Sequence, residues 1–516
     1  MKEFNITGTC IPHKHYMVDT SEKIEKVVTR LIEKGKYFII NRPRQFGKTT
    51  TLHLLEKKLQ DKYLLISTSF EGVGDESFEN EETVSHAFMT LLIRALEYSE
   101  KEEILTYLKN YPTPKSLMEL SNFITDFVKH SKEKIVILID EVDKASNHRL
   151  FLNFLGMLRN KFLSRDTGKD FTFHSVILAG VHDIKNIKLK MRPDDEKQFN
   201  SPWNIATDFD IDMSFNPEEI STMIGEYEKE NHLGLNILEI SNEIYKYTNG
   251  YPFLVSKVCK VIDEKLDRNW TVLGIQDAIN EILGFRNTLF DDLIKNIENN
   301  KELSDLLFSM IIQEKDITYN ISNPTIQFSE MFGITKKGKN GKLEINNKIY
   351  EILLFDYYVS KLETSNVSIQ YNFRDNYIDK NGHLEMEKIL LKFQQFIKEN
   401  YSEKDTEFYE RQGRLLLVAF IKPIINGTGF YYLESQHSYE RRSDIIITFN
   451  EKEYILELKL WYGEEYHKKG LEQLSGYLES KGHATGYLVA FNFNKNKEFT
   501  SKWNEVNGKK IFEVLV

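Results

Sequence analysis

Short apolar runs alternate with segments of helical spacing through the first 180 positions. Behind Asp19-Thr20-Ser21, the residues Val27, Val28, Leu31 and Ile32 share one face, which predicts a capped helix running to about Lys34. Tyr37-Phe38-Ile39-Ile40 then reads as a short buried strand, ended by a loop with Pro43 and Gly47. A helix from about Lys48 to Leu59 follows, then a strand over Leu64–Ser67. Ile135–Ile139 and Ser175–Ala179 are further apolar strands, each preceded by a helical stretch. Strand, helix, strand at this spacing predicts a parallel α/β sheet.

Helical spacing dominates from about Asn216 to Asn300, and another helix is expected over Lys301–Glu314. Two short strands, Phe332-Gly-Ile-Thr and Gly341-Lys-Leu-Glu-Ile, flank a Gly/Lys-rich turn before a helix over Asn347–Leu362. Helices followed by a small β-ribbon suggest a winged-helix module. The polar stretch Glu363–Ile378 reads as a linker. Beyond it the pattern predicts a helix over His383–Asn400, another over about Asp405–Phe420, three strands, a helix and a last strand.

Composition narrows the class. With 516 residues, 41% of them hydrophobic and 12% aromatic, the chain can build several cores and is not wholly disordered. Its two cysteines, Cys10 and Cys259, cannot form a disulfide framework or a cysteine zinc site, and a reduced, cytoplasmic setting is expected. Leu415–Phe420 is only six apolar residues, far short of a membrane span, so no membrane contact is expected, and the N-terminus lacks the apolar core of a signal peptide. The net charge is −10, but residues 371–516 carry 21 Lys+Arg against 22 Asp+Glu. Basic clusters such as Arg441-Arg442, Lys468-Lys469 and Lys509-Lys510 sit in that nearly neutral part, where a nucleic-acid face is better tolerated.

The run Asn41-Arg42-Pro43-Arg44-Gln45-Phe46-Gly47-Lys48-Thr49-Thr50 lies between a predicted strand and a predicted helix. A phosphate loop needs that context. Amides at the helix start face phosphates, a lysine reaches the β- and γ-phosphates, and a threonine hydroxyl serves Mg²⁺. Arg44, Gln45, Phe46, Gly47, Lys48, Thr49 and Thr50 are therefore the expected nucleotide contacts, although Arg42 stands where the usual motif has its first glycine. Ile135–Ile139 leads into Asp140 and Glu141, the arrangement in which one acid holds the Mg²⁺ shell and the next polarises the attacking water. Together the two motifs predict ATP or GTP binding.

The run at 42–49 resembles the loop of the AAA-ATPase-like family, which carries R-P-R-x-F-G-K-[ST] without the leading glycine. Tyr16-Met-Val-Asp19, Leu178–Asn186 and Ser201-Pro-Trp-Asn-Ile-Ala206 are similar to further segments of that family, and the resemblance covers about residues 1–215. A sensor residue would sit at the end of the strand Ser175–Ala179, making His182 or Asn186 candidates beside the plainer reading of helix capping or loop polarity, and Arg192 is an arginine-finger candidate beside the plainer reading of a surface salt bridge. Gly250-Tyr251-Pro252 resembles the G-x-P element in the lid of signalling-type (STAND) P-loop ATPases, and proline also suits the first turn of a helix.

A second set of residues lies near the C-terminus. Asp444 opens a strand to Phe449, and Tyr454–Leu460 forms the next, with Glu457 and Lys459 on one face. A hairpin would bring Asp444 and Glu457 to one end of the sheet, where two carboxylates can hold Mg²⁺ or Mn²⁺ and a lysine can assist a water attacking a phosphodiester. Glu457 and Lys459 interrupt an apolar strand, a costly placement for mere decoration. The element order and D-x12-E-x-K spacing resemble the PD-(D/E)XK nuclease superfamily, with Arg442 two before the Asp and Ser443 in place of the usual proline. That resemblance implies a further acid, with Glu410 and Glu434 ranked together (Glu407 is a neighbour), and places Gln473 beside the site, one helical turn from Tyr477.

The expected architecture is α/β: a P-loop NTPase parallel sheet over 1–215, a helical lid over 216–300, a winged-helix-like region over 301–365, and a restriction-endonuclease-like αβββαβ domain over 379–516. The expected function is an ATP-binding and hydrolysing protein coupled to a metal-dependent DNA nuclease, with Glu141, Asp444, Glu457 and Lys459 catalytic and Thr49, Asp140, Asp444 and Glu457 serving metal. The alternative is a nucleotide-dependent molecular switch whose C-terminal domain binds a partner or nucleic acid without cleaving it. Homo-oligomer formation is compatible with either.

Overall fold

The computed structural model describes residues 2–146, 148–181, 203, 205–312, 315–365, 377–400, 406–425, 429–432, 445–450, 452–461, 463–492 and 498–516. The chain divides into two compact units. One comprises Met1–Asn296 and Asn320–Gly338, the other Ile297–Tyr319 and Lys339–Val516.

In the first unit, the strands β1 (Tyr37–Asn41), β2 (Leu64–Ser69), β3 (Ile135–Asp140) and β4 (Ser175–Gly180) form one sheet in the order β1-β4-β3-β2. All neighbours are parallel, with Tyr37 opposite Val176, Ile137 opposite Val176 and Ile66 opposite Ile137. β3 and β4 are buried at every position, which is why they read as unbroken apolar runs. Helices α1 (Ser21–Val27), α2 (Lys48–Leu59), α3 (Glu81–Leu96), α4 (Glu102–Asn110), α5 (Leu117–Ser131) and α6 (Arg149–Asp166) accompany the sheet. Phe88, Leu92, Phe123, Phe127, Phe151 and Phe154 from α3, α5 and α6 share a core with the strands. The edge beside β1 gains one parallel bridge from Thr207, whose N–H donates to the Tyr37 carbonyl at 2.8 Å. Because the strands are parallel, β1, β3 and β4 all end at one edge, where a ligand crevice forms in such sheets.

The four predicted strands are present, each within two residues of its expected bounds. The first helix differs: α1 ends at Val27 and a π-helical turn continues to Ile32. The Asp19 carboxylate accepts the Ser21 N–H at 2.8 Å, so the polar triplet does fasten the helix start.

Five helices follow: α7 (Pro217–Asn231), α8 (Ile237–Thr248), α9 (Pro252–Lys265), α10 (Val272–Gly284) and α11 (Thr288–Asn299). Asn216 and Glu219 form a reciprocal capping box at the start of α7, with Pro217 in its first turn. The first unit also holds α13 (Pro324–Met331) and β5 (Thr335–Lys337), whereas α12 (Lys301–Ile311), β6 (Leu343–Ile345) and α14 (Lys348–Ser365) belong to the second. Most of the expected linker lies outside the described residues.

The second unit continues through α15 (Met386–Asn400), α16 (Thr406–Ile425), β7 (Gly429–Tyr432), β8 (Ile445–Phe449), β9 (Lys452–Leu460), α17 (Glu464–Lys481), β10 (Thr485–Phe491), β11 (Ser501–Val506) and β12 (Lys509–Leu515). Its mixed sheet has the order β11-β12-β10-β9-β8-β7. β7, β8 and β9 form an antiparallel meander, β9, β10 and β12 are parallel, and β11 is antiparallel to β12. This corrects the expectation of one strand after the last helix: among the described residues there are three. The signal was local, since Asn507 (φ 51°) and Gly508 (φ 74°) form the two-residue turn that the Asn-Gly pair favours. Among the described residues no helix is long and apolar enough to cross a membrane.

Candidate functional site

The loop between β1 and α2 is held in a defined shape by its own side chains. Gly47, the residue before α2, has φ 77°, and Gln45 adopts φ 56° without glycine's freedom. Arg42, in the place of the missing glycine, is put to structural use. Its guanidinium donates to the Phe209 and Ile211 carbonyls at 3.2 and 2.8 Å and to its neighbour Asn41 at 2.9 Å, and it lies 5.0 Å over the Phe209 ring. An arginine there anchors the loop entrance to the segment beside β1, a task that glycine could not perform.

Lys48 opens α2 and folds back, its ammonium donating to the Arg42 and Pro43 carbonyls at 3.0 and 2.9 Å. Burial lowers its pKa, opposed by Asp143, Glu141 and Asp140. Thr49 Oγ1 donates to Asp140 Oδ2 at 2.7 Å, so the predicted threonine and acid do meet. Asp140 is buried at the end of β3, and its other oxygen accepts the Glu141 N–H at 2.9 Å. A hydroxyl and a carboxylate joined in this way are a hard-oxygen pair that suits Mg²⁺. Glu141 sits at φ 52°, and its carboxyl pKa is raised by burial first and by Asp140 next. The Thr50 hydroxyl accepts the Cys10 N–H at 3.1 Å, tying the N-terminal segment to α2.

Asp143 was missed in the sequence. Its carboxylate accepts the Val181 N–H at 2.5 Å just past β4, and a Cβ added at Gly180 would lie 2.9 Å from its Oδ1. It heads the acids acting on Lys48. The available signal was its position three residues after Asp140, one short turn further along Val142–Lys144.

Residues distant in sequence cover the loop. Gly250 (φ 69°) packs so tightly on Phe215 that a Cβ would fall 1.9 Å from that carbonyl oxygen. Pro252 starts α9, and between them Tyr251 donates its hydroxyl to the Arg44 carbonyl at 2.6 Å and meets the Phe46 ring edge-on at 4.9 Å. Arg44 pairs with Asp292 at 2.6 Å, and Gln45 Nε2 donates to Thr288 Oγ1 at 2.9 Å. Gly333 abuts Pro43, where a Cβ would come 2.7 Å from Pro43 Cγ. The motif at 16–19 serves the same unit. Tyr16 packs with Phe4 and Tyr227, and its hydroxyl donates to Glu230 at 2.7 Å, with burial the main cause of a pKa pushed up to about 12.

In the second unit, Glu457 is fully buried on β9 and pairs with Lys459 at 2.7 Å. The lysine stem lies against Gly470 of α17, where a Cβ would be 3.3 Å from Lys459 Cγ. Gln473 is exposed on that helix. Asp444, Glu434 and Arg192 lie outside the described residues, as do His182 and Asn186, while Glu407 and Glu410 lie on α16. Among the described residues, no three His, Cys, Asp or Glu side chains gather as a metal set. A second pair was not foreseen: Glu513, buried on β12, lies 2.9 Å from His467 Nε2 and accepts from Asn504 Nδ2 at 2.6 Å. Glu513 shares a lateral row with Leu488 and Glu457 across three parallel strands. Glu513 interrupts the apolar run Ile511–Val516, the same signal that Glu457 gave on β9.

Residues 8–354 match the family described as AAA-like domain. An uncharacterised WD repeat-containing protein of Synechocystis is 23% identical over 390 residues, which cover 69% of this chain. The chain spans 31% of the length of that curated relative. Among solved structures, the Walker-type ATPase of Pyrococcus abyssi is similar at 14% identity and TM-score 0.47, over 68% of this chain and 99% of that one. The Aeropyrum pernix ORC2 protein with ADPNP and ADP follows at 10% identity and TM-score 0.36, over 69% and 96%.

Proposed function

Since the chain belongs to the AAA-like domain family, we propose that its first unit binds and hydrolyses ATP at the loop between β1 and α2. The observation that carries this reading is the 2.7 Å bond between Thr49 and Asp140, beside a lysine at the start of the same helix. Amides from Arg44 to Thr49 would bind phosphate at the N-terminus of α2, and Lys48 would exchange its loop carbonyls for phosphate oxygens. Thr49 and Asp140 would hold Mg²⁺, whose chemistry when bound is charge neutralisation on the phosphates. Glu141 would orient and deprotonate water. Phosphate release from ATP, measured beside nucleotide affinity for wild type, Lys48→Ala and Glu141→Gln, tests this. Loss of affinity in the first and of turnover alone in the second is expected; unchanged turnover in both would refute it.

A finer reading couples this unit to a metal-dependent DNA nuclease in the second. The buried Glu457–Lys459 pair supports it, because an ion pair inside an apolar strand is expensive unless it has a use. Glu457 with Asp444 would hold Mg²⁺ or Mn²⁺, and Lys459 would assist the attacking water. The rival is a nucleotide-dependent switch whose second unit only binds. Metal-dependent nicking of plasmid by wild type and Asp444→Ala, with and without ATP, separates them: nicking lost in the variant supports the nuclease, and no nicking by wild type supports the switch.

A further inference from the structure

Arg44 and Gln45 are the two loop residues whose exposed side chains are held by another segment. Both are held by α11, through Asp292 and Thr288. Those residues are four apart and therefore share one helix face. The backbone beneath them is fixed independently, since Tyr251 donates to the Arg44 carbonyl and Gly333 abuts Pro43. What remains free to exchange is the partner of the Arg44 guanidinium. In this structure that partner is a carboxylate, 2.6 Å away, on a side chain about one-third exposed.

We infer that Asp292 is a specificity-determining residue of the nucleotide site, competing with the terminal phosphate of the nucleotide for Arg44. The inference rests on the ATP-binding reading and deepens it. A guanidinium binds carboxylate and phosphate with the same forked geometry, so a polyphosphate on the loop is a direct rival of Asp292. The carboxylate also places a negative charge beside a site meant for anions. A triphosphate both repels Asp292 more strongly and reaches further along the loop than a diphosphate. Displacing Asp292 frees one face of α11, which makes helix position depend on how many phosphates are bound. Exposed ion pairs are weak, so the exchange is easily reversible.

Titration of the full chain with fluorescent ATP and ADP analogues tests this, comparing wild type, Asp292→Asn and Asp292→Glu. Asn keeps the size but removes the charge, and its surface position spares the fold. The expected result is tighter triphosphate binding in Asp292→Asn, with the ratio of the ADP to the ATP Kd rising about three-fold, the scale of one exposed ion pair. Asp292→Glu is expected to restore the wild-type ratio. An unchanged ratio in Asp292→Asn, or weaker triphosphate binding, overturns the inference while leaving ATP binding intact. A wild-type chain that binds neither nucleotide instead removes the reading beneath it.

Discussion

Thr49 and Asp140 are 91 positions apart, yet the threonine hydroxyl donates to the Asp140 carboxylate at 2.7 Å. The contact joins the start of α2 to the end of β3 across the sheet edge where β1, β3 and β4 terminate. Thr49→Ala removes the hydroxyl that would serve Mg²⁺ and leaves the fold in place. We predict that affinity for ATP with Mg²⁺ falls about ten-fold, a loss on the scale of one hydrogen bond to a charged group. Affinity measured with EDTA should be unchanged, and calorimetry under both conditions checks the difference.

Arg42 gives a prediction of the opposite kind. Restoring the usual glycine with Arg42→Gly strips partners from the Phe209 and Ile211 carbonyls. Losing charge-assisted bonds and a ring contact is expected to cost about 3 kcal/mol, or roughly 10 °C in Tm. Arg42→Lys should not rescue, because one ammonium cannot reproduce a planar guanidinium that serves the Phe209 and Ile211 carbonyls through Nη2 and the Asn41 carbonyl through Nη1. Thermal unfolding of the three proteins is the measurement.

These residues also show what was legible in the sequence. A phosphate loop is local chemistry: strand, glycine, lysine and helix are contiguous, and the partner acids announce themselves at the end of an apolar strand. Asp292 and Tyr251 gave no such signal. Their contacts with Arg44 span 248 and 207 positions, and nothing in an acid on an amphipathic helix tells which loop it will face. Gly250 was legible as part of a Gly-x-Pro element before a helix, but not as the close approach to Phe215 beside Tyr251. Glu513 was legible as an acid inside an apolar run, as Glu457 was. Its partners were not, because His467 comes from α17 and Asn504 from the neighbouring strand β11.

Glu141 supplies a pH dependence. Burial and then Asp140 raise its carboxyl pKa, so the folded state binds its proton more tightly than the unfolded state does. A raised carboxyl loses stability as pH rises from the ordinary value through the folded one. Glu141→Gln should therefore be more stable than wild type at pH 7, with the difference vanishing below about pH 4. Hydrolysis should drop by about 10²-fold or more in the same variant. Melting curves across pH together with turnover decide it.

Glu513 has the reverse sign. Burial alone would raise its pKa, but the bonds from His467 and Asn504 outweigh it and hold the carboxyl below its ordinary value. Its contribution is present above the unfolded pKa and disappears as pH falls through the folded one. Glu513→Gln should be less stable than wild type at pH 7 and equal to it in strong acid. Denaturant unfolding at the two pH values is sufficient to see this.

The Glu457–Lys459 pair separates structure from chemistry. Lys459→Met leaves a carboxylate fully buried beside the space its cation held, which is expected to cost about 3–5 kcal/mol. Glu457→Gln with Lys459→Met removes both charges and should recover much of that loss, giving a coupling energy of about 1–3 kcal/mol in the double-mutant cycle. A purely structural pair would let the double variant keep whatever activity the second unit has on DNA. A catalytic pair would leave it folded and inactive. Unfolding curves for the four proteins, run beside a plasmid-nicking assay with Mg²⁺ and with Mn²⁺, therefore test stability and chemistry on the same residues. Recovered stability without recovered nicking is the outcome expected of a nuclease.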